Sequence, residues 1–249
     1  SLIAVTVVGD GEAETGPLAT SWFGCKFINP KTDGVVLPVL HLNGFKISNP
    51  TILSRLSHRE LENLFDGYGY KPHFVEGSDP IKMHEKMAKA MDECILEISK
   101  LKTERGGKEI KFPMIILRTP KGWTCPKVVN GKQIEGSFRA HQVPISISRD
   151  NPENLRLLED WLRSYHPEEL FTSDGKLISE LECMHPTGNR RMSANPVANG
   201  GLLLKELRTP DFRDYAISVK RGETNAQDMK ELGRYVADLI KLNPDNFRV

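Results

Sequence analysis

Short runs of β-branched and aliphatic residues alternate along this chain with longer stretches whose apolar residues recur at helical spacing, a pattern that few folds accept. Ile3 to Val8 is such a run, ended by Gly9-Asp10-Gly11, and is predicted as a buried strand. Val35 to Leu42 is the second, with Pro38 marking an irregular or edge position, and Lys71 to Val75 and Phe112 to Leu117 follow. Helical character runs from Glu12 to about Gly24, and Ser57 with Glu60 predicts a capping box opening a helix to about Phe65. The clearest helix spans about Asp79 to Lys102, where Ile81, Met83, Met87, Met91, Cys94, Ile95 and Ile98 form an apolar stripe read as core. Asn154 to Tyr165 and Asp228 to Leu242 are two more helices. The expectation is an α/β fold with a largely parallel sheet flanked by helices.

Charge narrows the function classes. Lys plus Arg total 34 against 33 for Asp plus Glu, so the balance gives no reason to expect nucleic acid or a membrane surface as partner. The longest apolar runs fall far short of the ~20 residues of a membrane helix. Cys25, Cys94, Cys125 and Cys183 are scattered without a CxxC pair, which suits reduced thiols in a cytoplasmic protein. Arg190-Arg191 reads as part of a solvated loop. The chain opens inside a strand pattern, without methionine, so a piece of a longer protein is expected.

In a parallel sheet, ligands gather at the carboxyl ends of the strands. Gly9-Asp10-Gly11-Glu12 stands at such an end, where glycines let the backbone approach a ligand and Asp10 offers a hard oxygen to a divalent cation. The free N–H groups of the following helix suit phosphate. The next strand runs into Asn43-Gly44-Phe45 one βαβ unit later, so Asn43 could stand beside Asp10. On spacing alone the alternative, that both are ordinary turn residues, stays open.

Longer strings are more specific. Gly9-Asp10-Gly11-Glu12-Ala13-Glu14-Thr15-Gly16-Pro17, His41-Leu42-Asn43-Gly44-Phe45-Lys46-Ile47, Thr119-Pro120-Lys121-Gly122-Trp123, Phe138-Arg139-Ala140-His141-Gln142-Val143-Pro144 and the loop from Arg191-Met192 to Gly201 together resemble phosphoketolase. The resemblance implies a thiamine-diphosphate-binding module of transketolase-like type, incomplete at its N-terminal side, over residues 1–201. Residues 202–249 would lead towards a missing second module. It implies cleavage of xylulose 5-phosphate, fructose 6-phosphate or both, with inorganic phosphate, to acetyl phosphate and an aldose phosphate.

By the same resemblance Asp10, Asn43 and the Phe45 carbonyl would hold magnesium or calcium. Gly9, Gly11 and Glu12 would lie at the diphosphate, with His41 bordering the metal loop. His141 would lie near the diphosphate and the reacting carbons, Gln142 would orient substrate, and Lys121 would stabilise developing negative charge. A homodimer or higher homo-oligomer is implied, and the isolated chain is expected to be inactive. The family commonly has histidine, glycine and histidine at Phe23, Ser193 and Val197, where this chain departs. A transketolase-like two-carbon transferase and a non-catalytic folding or interaction module are the alternatives.

Overall fold

A computed structural model describes residues 2–103, 110–141, 143–191, 194–195, 206–222 and 225–247. The chain divides into two compact units, Ser1–His166 and Pro167–Val249.

In the first unit β1 (Ile3–Gly9) runs directly into a single helical turn, α1 (Asp10–Ala13), followed by α2 (Gly16–Ser21) and a 3-10 segment, Trp22–Phe27. The one helix expected from Glu12 to Gly24 is therefore three pieces. Thr15 is extended and Gly16 takes φ +59°, which breaks the helix before Pro17 restarts it. A one-turn α1 does not supply the aligned N–H groups expected to suit phosphate, and the Gly11 N–H is already given to Asp10.

Then come β2 (Val35–Leu42), α3 (His58–Tyr68), β3 (Tyr70–Glu76), α4 (Pro80–Thr103) and β4 (Phe112–Arg118). The capping box forms as expected: the Ser57 hydroxyl accepts from the Glu60 N–H, and the Glu60 carboxylate accepts from the Ser57 N–H at 2.8 Å. The four strands make one parallel sheet in the order β1-β2-β4-β3. Pro38 lies in an internal strand, yet the ladder to β4 starts only at Val39, so the β4 side of β2 is still open where the N–H is missing.

The core lies on β2 and β4. Leu37, Leu40, Leu42, Met114, Ile115 and Ile116 are sealed between Leu61 and Phe65 of α3 and Met83, Ala90, Cys94 and Ile98 of α4. Trp22 packs edge-on against Phe65 and Tyr70. Two expectations of burial fail. In this chain only Val8 of β1 and the flanking glycine are covered, while Ile3, Val5 and Val7 are exposed, and β1 stands at the end of the strand order. Ile81 and Ile95 likewise point away from the sheet, and Ala90 joins Cys94 and Ile98 in the packed face of α4.

Beyond β4, a hairpin of β5 (Val128–Val129) and β6 (Lys132–Gln133) turns through Asn130-Gly131, both at positive φ. Cys125, Val129, Ile134 and Ile145 form a second, small core against Leu157, Leu158 and Trp161 of α5 (Pro152–Arg163). The second unit holds α6 (Ser179–Glu182) and α7 (Asp228–Leu242). In it Tyr215 donates to Asp238, and the Asn243 side chain bridges the Arg208 backbone and the Leu239 carbonyl. Arg190 and Arg191 are exposed.

Candidate functional site

The strand order places the carboxyl ends of β1, β2 and β4 side by side, and each end delivers a piece of one cluster. β1 delivers Asp10, the residue directly after its end, which is only 1% exposed although it is charged. Its Oδ2 accepts from the Gly44 N–H at 2.7 Å and from the Thr51 hydroxyl at 3.0 Å, and its Oδ1 accepts from the Gly11 N–H. These bonds fasten the β1 end to the loop after β2, 34 residues on in sequence. Gly44 takes φ +95°, a backbone state open to glycine at little cost, and so can aim its N–H at Asp10.

Asn43 adjoins this contact. Its side-chain oxygen accepts from the Phe45 N–H at 3.1 Å and keeps one lone pair. The loop is braced from outside by Glu14, which pairs with Lys46 at 2.7 Å and accepts from the Leu53 N–H. Gly11 approaches this brace closely, since a Cβ there would lie 3.1 Å from Lys46 Cγ. Gly9 and Gly11 line the same turn, and Glu12 is exposed beside them.

β4 contributes Thr119 and Lys121. Thr119 shares a hydrogen bond of 2.9 Å with Nε2 of His41, at the end of β2. Burial pushes the His41 imidazole below its ordinary pKa, with Asp10 pulling it up and Lys121 pushing it further down. Lys121 is 8% exposed and donates from Nζ to the carbonyls of Phe45 at 3.1 Å and Lys46 at 2.8 Å. Burial lowers its pKa as well, against the pull of Asp10.

The cluster therefore joins a buried carboxylate to backbone carbonyls that already hold one positive charge. Asp10 itself receives only neutral donors in its hydrogen bonds, and its Oδ1 retains acceptor capacity. A buried charge of this kind is stabilised by a cation of opposite sign. The donor set of carboxylate, amide oxygen and carbonyl oxygen is of the hard type that suits magnesium or calcium. Among the described residues no three His, Cys, Asp or Glu side chains converge on a metal position, so this set, with its single carboxylate, is of a different kind.

His141 is half-buried and follows the 3-10 turn Phe138–Ala140, whose Ala140 packs against the loop carrying Lys121. Gln142, Ser193 and Val197 lie outside the described residues. Phe23 is exposed and stacks edge-on against Tyr68. Sequence reasoning missed Thr51 as a partner of Asp10, and Glu14 as the brace on the loop after β2. Nothing in the local spacing marks Thr51, but Glu14 stands one helical turn after Asp10, a position from which a carboxylate reaches the same loop.

A family model described as the XFP N-terminal domain matches residues 1–203. The chain is 62% identical over 255 residues to a probable phosphoketolase of Clostridium acetobutylicum, covering 100% of this chain and 32% of that protein. It is 58% identical over 259 residues to a probable phosphoketolase of Chlorobaculum tepidum, with the same coverage of 100% and 32%. Identity to probable phosphoketolase 1 of Nostoc sp. is 55% over 253 residues, covering 100% and 31%. The chain thus spans about a third of the length of the curated relatives it matches.

Proposed function

This chain belongs to the phosphoketolase family through its XFP N-terminal domain, and on that premise we propose that the protein carrying it cleaves xylulose 5-phosphate, fructose 6-phosphate or both. Inorganic phosphate is the second substrate, and the products are acetyl phosphate and an aldose phosphate. The observation that carries this reading is the buried Asp10 carboxylate, tied to the Asn43-Gly44-Phe45 loop at the ends of adjacent parallel strands.

Thiamine diphosphate supplies the nucleophilic carbon that makes scission of the ketose C2–C3 bond accessible. Asp10, the Asn43 amide oxygen and the Phe45 carbonyl hold magnesium, or calcium, against the diphosphate, and Gly9, Gly11 and Glu12 border it. Thr51 and the Gly44 N–H keep the Asp10 carboxylate aimed, so that its charge is in place before any ligand arrives. The Lys121 ammonium, held by the Phe45 and Lys46 carbonyls, steadies negative charge that develops on the substrate. His141 moves protons to and from the substrate oxygens as the carbon–carbon bond breaks and water leaves the two-carbon unit. Gln142, outside the described residues, orients the sugar phosphate.

In this reading the module spans residues 1–201, and the segment over 202–249 leads towards a second module. The protein acts as a homodimer or larger homo-oligomer in the cytoplasm, and the isolated chain is inactive. No helix among the described residues is long and apolar enough to cross a membrane.

The test is magnesium-dependent binding of thiamine diphosphate by calorimetry, beside Asp10→Asn. That substitution removes the charge while leaving an oxygen that can accept from Gly44 and Thr51. Binding should weaken at least 100-fold, with the thermal midpoint changed far less than by Asp10→Ala, which takes the acceptor from all three donors, the Gly11 and Gly44 N–H groups and the Thr51 hydroxyl, at about 1–3 kcal/mol for each one left unsatisfied. Undiminished binding by Asp10→Asn would overturn the assignment of Asp10. In the whole protein that carries this chain, a ketose phosphate and inorganic phosphate should give acetyl phosphate. A longer ketose phosphate made from an added aldose acceptor would instead favour the transketolase-like alternative.

A further inference from the structure

We propose that Gly122 is a positioning residue for His141, and that its missing side chain is what allows the two loops of the site to close on each other. The inference rests on the reading of His141 given under the proposed function.

Gly122 takes φ +67°, and a Cβ built on it would fall 2.3 Å from the Ala140 Cβ and 3.0 Å from Cys125 Sγ. No pair of carbon atoms packs at 2.3 Å, so a side chain at 122 must push the 119–125 loop and the Phe138–Ala140 turn apart. Gly122 directly follows Lys121, and Ala140 directly precedes His141. The contact therefore couples the backbone that bears the ammonium to the backbone that bears the imidazole.

Two further ties register the same pair of segments. The Gly136 N–H donates to the Lys121 carbonyl at 2.8 Å, and the Thr124 N–H donates to Glu135 Oε1 at 3.0 Å. Thr124 itself is held at φ +75°, a strained state for a β-branched residue. Such strain persists only where the surroundings over-determine it. Here the surroundings are Glu135 and Tyr165, whose hydroxyl shares a hydrogen bond with Thr124 Oγ1. On the other side, Cys125, Ile134 and Ile145 of the small core anchor both segments. The Asp10 carboxylate and its Gly44 and Thr51 donors share none of these three ties, while the Phe45 and Lys46 carbonyls meet the 119–125 loop through the Lys121 ammonium.

The experiment uses the whole protein that carries this chain, with Gly122→Ala, Ala140→Gly and the double variant. Moving the Cβ from one side of the contact to the other removes the 2.3 Å clash with Ala140, while the positive φ and the 3.0 Å approach to Cys125 Sγ burden Gly122→Ala and the double variant alike, so the difference between those two reads the Ala140 contact. Gly122→Ala should lower kcat for ketose cleavage about 100-fold, the loss expected when a reacting group shifts by about 1 Å. The magnesium and thiamine diphosphate affinities should change less than tenfold, since the 119–125 loop reaches the Phe45 carbonyl through the long Lys121 side chain. The double variant should regain at least tenfold in kcat over Gly122→Ala. The His141 Hε1 resonance should move in Gly122→Ala and return in the double, which reads the coupling without turnover.

Should Gly122→Ala fail to fold, Ala140→Val presses on the same contact with Gly122 retained, and the same kcat loss with intact cofactor binding is expected. Full activity in Gly122→Ala or Ala140→Val, or a double variant no better than the single with an unrestored His141 resonance, would overturn the proposal. Equal loss of cofactor binding and turnover would also overturn it, because the effect would then be one of general stability. A wild-type protein that binds the cofactor without cleaving ketose phosphates would sink the proposed function alone, and the resonance would still decide the coupling.

Discussion

Charge and thiol chemistry at single positions follow from what each side chain faces. Asp10 is tolerated in the interior because three neutral donors converge on it, and the same arrangement leaves it able to accept a cation. Cys94 shows the opposite outcome. It points from α4 into the core, where burial first, and then the Glu97 and Glu93 carboxylates, push its thiol up to about 12, with Lys71 pulling the other way. Only the thiolate is nucleophilic. Iodoacetamide at pH 8 should therefore modify the exposed Cys183 and leave Cys94 untouched until guanidinium unfolds the protein, as read by peptide mass mapping. Labelling of native Cys94 at a rate like that of Cys183 would contradict this burial.

Between elements, β3 and α4 are joined by a polar cluster as well as by apolar packing. The two His73 nitrogens each lie 3.2 Å from a carboxylate oxygen, Nδ1 from Glu93 and Nε2 from Glu97, and Lys71 pairs with the other Glu97 oxygen. Burial alone would raise the Glu97 carboxyl, but the bonds from Lys71 and His73 outweigh it and hold the group below its usual 4.5. A depressed carboxyl stabilises the fold fully above the unfolded value, and that stabilisation is lost as pH falls from 4.5 through the lower folded value. Thermal midpoints measured from pH 6 to pH 3 should fall more steeply for the native protein than for Glu97→Gln. Parallel curves would show that the cluster carries no acid-sensitive stability.

The strands and long helices at this level could be read in the sequence because each carries its own period. Asp228 to Leu242 and the capping box at Ser57 needed no tertiary information. The outward face of β1 could not be read. A run apolar on every residue is what a strand covered on both faces looks like, and position in the sheet is decided by pairings far along the chain. The site divides in the same way. Asp10 and Asn43 were visible as residue types at strand ends, and Lys121 only through the family string Thr119-Pro120-Lys121-Gly122-Trp123. Thr51 was not, because its hydroxyl meets Asp10 only after the loop folds back over 41 positions.

Across the two units, burial is unequally shared, and that has a consequence for how the chain opens. The apolar residues sealed from solvent belong almost entirely to Ser1–His166; in Pro167–Val249, among the described residues, Leu239 alone is of this kind. Polar ties such as Tyr215 to Asp238 and Asn243 to Arg208 exchange bonds to water for bonds within the protein, so their net contribution is small. Apolar burial stabilises more, at roughly 25 cal/mol per Å² removed from water. Opening of the second unit should therefore be the lower-energy event. Hydrogen exchange at pH 7 should show amides of Leu37, Leu40, Ile115 and Ile116 exchanging slowest, and the helical amides of α7 exchanging orders of magnitude faster. A common rate for the two sets would mean that the chain opens in a single cooperative step, and the scarcity of buried apolar side chains among the described residues of the second unit would then have no energetic consequence.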